Sequence, residues 1–267
     1  MPDLFRESVG LALENADNPV QLIGVGNGCF ASTHGLPKEK LADRSIVTGE
    51  QNNRGIPWAL HELYEAACAR PDASDSDVLV YIHDDFLIQE KGWDTRVLAA
   101  FQHDERLGLA GFGGSTGLGR PGLYKAPYAW QQVCRTDFWS NMRDAETHGQ
   151  RTTTERPIVY TDGQSMLVRR ALLDQVNGWS WWPFTIVHHG YDYGLACMAR
   201  RHGWNGLLIP IACEHKTNAN GGIGAVTRDS EIYAQLANSF GGDNEVFARA
   251  HRFVYDNFRD VLPLRLP

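Results

Sequence analysis

The chain sets carboxylates and imidazoles directly after apolar runs. Val78-Leu79-Val80-Tyr81-Ile82 is β-branched and aliphatic, and it ends in His83-Asp84-Asp85. Adjacent acids at the edge of a hydrophobic core cost free energy unless something pairs with them. A divalent cation carrying a phosphate is a fitting partner; the plainer alternative is a solvated strand end whose acids cap the next turn. A second apolar run, Ile209-Pro210-Ile211-Ala212-Cys213, ends in Glu214-His215. Alone, His215 reads as a surface or hydrogen-bonded histidine. If the two runs lie near each other, Asp85 and His215 share a metal, and oxygen plus imidazole suits Mn²⁺ or a similar ion. Crevices beyond the carboxyl ends of strands are where open α/β sheets bind ligands.

Between these runs lies His188-His189-Gly190-Tyr191-Asp192. Asp192 falls at the start of a helical pattern. It either satisfies free amides and the helix dipole or faces the same crevice as a general base. His188 and His189 contact a donor phosphate or an acceptor, or are simply polar loop. Trp179-Ser180-Trp181-Trp182-Pro183-Phe184 precedes them. Large aromatics usually serve packing, but tryptophans at 179, 181 and 182 cannot all face one way on a regular element. At least one is therefore expected to be exposed, and Trp181 and Trp182 are candidate surfaces for a sugar ring or an acceptor. Two glycine patterns, Gly24-Val25-Gly26-Asn27-Gly28-Cys29 and Gly117-Leu118-Gly119-Arg120-Pro121-Gly122, invite a dinucleotide reading. The first lacks its third glycine and the second lacks a strand–turn–helix setting, so turns or loops are favoured.

The elements that must position these groups are those of an α/β chain. Apolar runs alternate with helical patterns, which predicts a largely parallel sheet flanked by helices. Strands are expected at 20–25, 45–48, 78–82, 107–112, 158–160, 165–168 and 206–211. Helices are expected after Pro57, over 94–101, 171–176 and 192–202, and in the C-terminal part, where Ile232, Leu236 and Phe240, then Phe247, Phe253, Val254 and Phe258, recur at helical spacing. The segment 113–150, glycine-rich and then aromatic, reads as a long irregular lid or binding loop.

Bulk properties bound the function. The 267 residues suffice for one large domain, and no linker or low-complexity tract divides them. A formal net charge of −7 argues against a nucleic-acid partner. No run approaches the roughly 18 apolar residues of a membrane span, and the start lacks a signal-peptide pattern. The five cysteines are scattered without zinc-ligand spacing and read as reduced thiols, which suggests a cytoplasmic protein.

The order of features from about Val20 to His215 resembles a metal-dependent glycosyltransferase of the GT-A fold, close to the family-2-like enzymes. Asn52-Asn53-Arg54-Gly55 is similar to that family's asparagine–glycine element, and His83-Asp84-Asp85 stands at its D-x-D position. Asp162-Gly163-Gln164-Ser165-Met166-Leu167-Val168-Arg169-Arg170 resembles its donor-sugar segment. Tyr191-Asp192 resembles its acidic base element, and Glu214-His215 its late metal-binding histidine. His83 departs from the family's first acid, and Tyr191 from the glutamate usual before the base.

The resemblance implies a Rossmann-like, mostly parallel mixed sheet with a C-terminal helical extension. It also implies one domain: about 20–110 for the nucleotide, about 111–215 for donor and acceptor, and 216–267 for the extension. Asp85 and His215 would bind Mn²⁺ or Mg²⁺, and Asp84 the ribose or the metal through water. Asn27, Asn53, Gly163 and Gln164 would meet the nucleotide diphosphate sugar. Asp192 would deprotonate an acceptor hydroxyl on a glycan, lipid, small molecule or protein, with inversion. The rivals are a metal-dependent hydrolase using His83, Asp84, Asp85, His189 and His215, and a nucleotide-sugar-binding module without turnover.

Overall fold

The computed structural model describes residues 2–27, 34–42, 45–50, 52–119, 133, 135–143, 149–216, 238 and 241–266. In chain order the elements are α1 (Pro2–Asn15), β1 (Ile23–Asn27), β2 (Ile46–Glu50), α2 (Ile56–Cys68), β3 (Val78–Ile82), β4 (Phe86–Ile88), α3 (Trp93–His103), β5 (Leu107–Gly111), β6 (Gly113–Leu118) and β7 (Arg135–Ser140). They continue as β8 (Gln150–Arg151), β9 (Arg156–Ile158), β10 (Tyr160–Thr161), β11 (Ser165–Arg169), α4 (Arg170–Val176), α5 (Tyr191–Arg201), β12 (Asn205–Leu208), β13 (Cys213–His215), α6 (Asp243–Phe258) and β14 (Leu264–Arg265).

The architecture is mixed α/β, with a central five-stranded sheet in the order β3-β11-β5-β12-β9. β5 is buried along its whole length and β11 nearly so, as apolar runs covered on both faces require. Only β5 and β12 run parallel in this sheet; β11 is antiparallel to both β3 and β5, and β12 to β9. The expected dominance of parallel pairs is thus corrected: apolar continuity reports burial on both faces, not strand direction. The parallel pair β1–β2 stands apart from this sheet.

Most boundaries fall within a few residues of expectation, and the shifts have causes. Val20 does not start β1, because its amide donates to Lys40 O (2.9 Å) in an isolated bridge. β12 stops before Pro210, which has no N–H for a ladder. The irregular segment expected over 113–150 instead contains β6 and β7, paired antiparallel with Gly113 opposite Ser140. Glycines at 113, 114 and 117 leave β6 with little side-chain alternation to read. The rest of that segment (120–132, 134 and 144–148), the tail of each glycine pattern, and the spacing at Ile232, Leu236 and Phe240 lie outside the described residues. Gly117 and Leu118 form the end of β6 and Gly119 the bend just after it.

Two elements bear on the site. Helix α1 packs Val9, Ala12, Leu13 and the following Ala16 inward, at 3.6-residue spacing. Its Ser8 hydroxyl donates to Phe86 O (2.6 Å) and Asn15 Nδ2 to Ile88 O (2.8 Å), which fixes β4 against the helix. Helix α6 buries Val246, Ala250, Val254 and Phe258 in one stripe. Each larger member of that stripe contributes about 1.5–3 kcal/mol by removal from water. No helix among the described residues is long and apolar enough to cross a membrane. Cys68, Cys197 and Cys213 are free thiols.

Candidate active site

The short pair β4–β13 brings distant residues together. Its register sets His215 opposite Phe86, beside Asp85, and Lys216 N donates to Asp85 O (3.0 Å). His215 Nε2 lies 3.0 Å from Asp85 Oδ1. Ligand-type atoms of His83, Asp85 and His215 all fall within 4.8 Å of one another. The backbone beneath them is held by Phe86, which is fully buried and stacks on Phe112. The His83 amide donates to Gln164 O (3.2 Å), tying the turn after β3 to the segment before β11.

These residues fit a divalent cation. Two imidazoles and a carboxylate are a donor set that first-row divalent ions accept. The His83 Nε2 atom is buried with no hydrogen-bond partner among the described residues, a state that costs about 1–3 kcal/mol unless a ligand relieves it. Burial holds the His83 imidazole below its usual range, against the pull of Asp85, and so favours the neutral form that a metal requires.

His83 also lines a cavity of about 310 Å³, and Asp192 stands elsewhere on its wall. Asp192 occupies the first turn of α5 and is 9% exposed. Its Oδ2 accepts from Tyr160 Oη (2.7 Å) and from Gly163 N (3.1 Å), and its Oδ1 from Tyr193 N (2.9 Å). Burial raises its pKa to about 6, with the nearby charge of Asp162 adding to the rise and the three hydrogen bonds opposing it. Asp162 is ion-paired with Arg135, whose guanidinium lies over the Phe138 ring at 4.3 Å. A carboxylate with a pKa close to neutrality matches the requirement for a general base. Asp192 thus satisfies a free amide in the first turn of α5, that of Tyr193, and also faces a cavity.

Gly163 is held to its identity by contact. A Cβ there would meet the Tyr191 hydroxyl at 2.3 Å, so only glycine lets this segment pass so close to α5.

Residues 59–185 match the model of a family described as "Glycosyltransferase like family". Over that span, just under half of its length, the chain is similar to this glycosyltransferase-like family. The matched span includes two of the stretches that carry the resemblance, His83-Asp84-Asp85 and Asp162 to Arg170; Asn52 to Gly55, Tyr191-Asp192 and Glu214-His215 lie outside it. No curated protein matches the chain by sequence. Among solved structures, a mannosyltransferase from Pyrobaculum calidifontis, in complex with GDP-Man and Mn²⁺, is similar at 15% identity and a TM-score of 0.49, covering 98% of this chain and 71% of that one. GalNAc-T7, solved with UDP, GalNAc and Mn²⁺, is similar at 10% identity and a TM-score of 0.46, covering 91% of this chain and 52% of that one. The chain thus spans about half of the second neighbour.

Not every expected residue reaches the cavity. Gly163, Gln164, His188, His189 and Asp192 line it with His83. Asp85 and His215 stand with His83 at one edge, and Asp84 occupies the turn between His83 and Asp85. Asn27 and Asn53 shape the loop entering α2. Asn27 Oδ1 accepts from Arg54 N (2.7 Å), its Nδ2 donates to Gly55 O (3.0 Å), and Asn53 Oδ1 accepts from Gly55 N (2.9 Å). That loop presses on the histidine segment: Ile56 N donates to Val187 O (2.8 Å), and a Cβ on Gly55 would meet the same oxygen at 2.6 Å.

Trp182 is a correction. It is 2% exposed, donates its indole N–H to Ile186 O (3.0 Å) and packs edge-on against Phe253, so its face is closed to a sugar. Trp179 is fully buried, and Trp181 is half-buried against Trp182 and Phe258. The crowding of the three is resolved by a turn rich in internal hydrogen bonds, not by exposure. Arg135, Tyr160 and His251, which the sequence does not mark as site residues, also line the cavity, as does Phe247, which it marks only as part of a helical pattern. Phe247 and His251 carried a signal, their i, i+4 spacing on a helical pattern.

Proposed function

We propose that this protein transfers a sugar from a nucleotide diphosphate sugar to an acceptor hydroxyl. The reading rests on one observation: the wall of a single cavity joins His83, one of three clustered metal-ligand residues, to Asp192, a buried carboxylate with a pKa raised to about 6. His83, Asp85 and His215 would hold Mn²⁺ or Mg²⁺, which when bound supplies positive charge to a diphosphate leaving group. Gly163 and Gln164, in the cavity lining, and Asp84, in the turn after His83, would contact the donor. The volume, about 310 Å³, is at the low end of the ~300–1,000 Å³ of small-molecule clefts. It suits the reacting sugar and acceptor, with the nucleotide lying outside, towards the β1–β2 side braced by Asn27 and Asn53.

Asp192 takes the proton of the acceptor hydroxyl as that oxygen bonds to the anomeric carbon. The bond from the anomeric carbon to the phosphate oxygen breaks, and the nucleotide diphosphate leaves with the electron pair. One base opposite the leaving group implies a single displacement with inversion. Tyr160 and Gly163 orient the carboxylate through the hydrogen bonds given above, which is the positioning that such catalysis needs.

Calorimetry with UDP and GDP, with and without Mn²⁺, tests the proposal. Binding should require Mn²⁺ and weaken at least ten-fold in Asp85→Ala and His215→Ala. Equal binding without metal, or no nucleotide diphosphate binding at all, refutes it. A hydrolase with the same metal residues would consume donor at a rate indifferent to every acceptor offered.

A further inference from the structure

The cavity lining is chemically mixed. It includes charged and metal-type groups, His83 and the Asp162–Arg135 pair. Helix α6 contributes a second kind of wall with Phe247 and His251. Their rings lie 4.0 Å apart at 32°, and His189 packs edge-on to Phe247 at 5.3 Å. Phe247 is 45% exposed, although it sits on a helix whose neighbouring stripe is fully buried. That buried stripe makes its support rigid, as a recognition surface needs. Leaving a phenyl ring wet forfeits part of the roughly 1.5–3 kcal/mol that burying it would give, and a ligand that covers it recovers this.

The chemistry of this wall is aromatic and uncharged. Burial, with His189 adding to the effect, lowers the His251 pKa to about 4, so its imidazole is neutral at physiological pH. A neutral imidazole both donates and accepts, which matches hydroxyl groups. Among the described residues lining the cavity, the one Lys or Arg is Arg135, and it is paired with Asp162. No uncompensated cation is therefore offered to an anionic acceptor, and Asp192 would repel one.

Resting on the transferase reading above, we propose that Phe247, with His251 and His189, forms the acceptor subsite, and that the receiving hydroxyl is carried by a neutral sugar ring. The apolar face of the ring covers Phe247, and its hydroxyls meet the imidazoles. One hydroxyl is thereby turned towards Asp192, which lines the same cavity.

Saturation-transfer NMR on protein loaded with UDP or GDP and Mn²⁺ tests this, using maltose, cellobiose and lactose as neutral probes and glucuronate and glucose 6-phosphate as anionic ones. At least one neutral sugar should bind. Its signal should fall at least ten-fold in Phe247→Ala and persist in Phe247→Trp, while nucleotide affinity changes less than two-fold in both. Phe247 is half exposed, so neither variant opens a core cavity. Tighter binding of the anionic probes, absence of neutral-sugar binding, or unchanged binding in Phe247→Ala overturns the proposal while leaving the transferase reading intact. If the wild type binds neither nucleotide with Mn²⁺, the transferase reading falls, and the acceptor proposal with it.

Discussion

Replacing Asp192 by asparagine separates a catalytic carboxylate from a structural one. Lifting a carboxyl from its ordinary 3.8 to about 6 means that its ionised form is destabilised in the fold by about 3 kcal/mol. Because the folded pKa is the higher one, the stability this group contributes is present below pH 3.8 and is lost as pH rises through about 6. Above pH 7 the wild type carries the whole penalty, and asparagine removes it. Asparagine also exacts a cost. Its oxygen can still accept from Tyr160 and Gly163, but its amide then faces the Tyr193 N–H, a donor against a donor. That mismatch costs about 1–3 kcal/mol. The two effects nearly cancel at pH 8, so Tm should stay within about 6 °C of wild type, at roughly 2–4 °C per kcal/mol. Transfer, by contrast, should fall about 10²–10⁴-fold, the usual contribution of a positioned base. The assay is release of nucleotide diphosphate with a matched acceptor, followed from pH 5 to 9. Wild-type kcat/KM should rise with pH through an apparent pKa near 6, and the variant should lack that limb. A variant that keeps a third or more of the activity, or the same limb, would show that Asp192 is a cap and nothing more. Nucleotide binding with Mn²⁺ must survive, since Asp192 is outside the metal cluster.

Other perturbations follow from single contacts. Tyr160→Phe removes a hydrogen bond that lowers the Asp192 pKa, so the rising limb of the pH profile should move upward while stability drops by about 1 kcal/mol; an unmoved limb would detach Tyr160 from the base. Gly163→Ala drives a methyl into the Tyr191 hydroxyl and should destabilise by about 1–3 kcal/mol in urea melts, with transfer lost in proportion to the displacement of Asp192. Trp182→Ala should cost about 3–5 kcal/mol because the ring is 2% exposed and packed on Phe253; a change below 1 kcal/mol, or a loss confined to acceptor KM, would restore the acceptor role denied to it here.

What could be read in advance depended on where chemistry and chain direction coincide. Asp85 and His215 were legible because each follows an apolar run directly, so the end of the run announces the site. Their closeness was not legible: it comes from the three-residue pairing of β4 with β13, too short to leave an alternation. Asp192 was legible because a helix start makes any acid notable. The groups that hold and tune it were not. Tyr160 lies in a strand of two residues, and Arg135 in one whose partner is rich in glycine. Phe247 shows how a correct periodicity still misplaces a residue. The spacing marks it as apolar on a helical pattern, and so it was grouped with Val254 and Phe258. The stripe that packs is 246, 250, 254 and 258. A residue one position along the helix is turned by about 100°, so 247 and 251 lie on the shoulder of that stripe. Whether a shoulder is core or cleft is decided by what packs beside it. Here it is α5 with the histidine segment, held off by the tight turn at Gly190 and braced through Val187 against the loop of Asn27 and Asn53. The residues read as donor ligands and the shoulder residue Phe247 are therefore linked by contact: the asparagine loop braces the histidine segment through Val187, and His189 of that segment packs edge-on against Phe247.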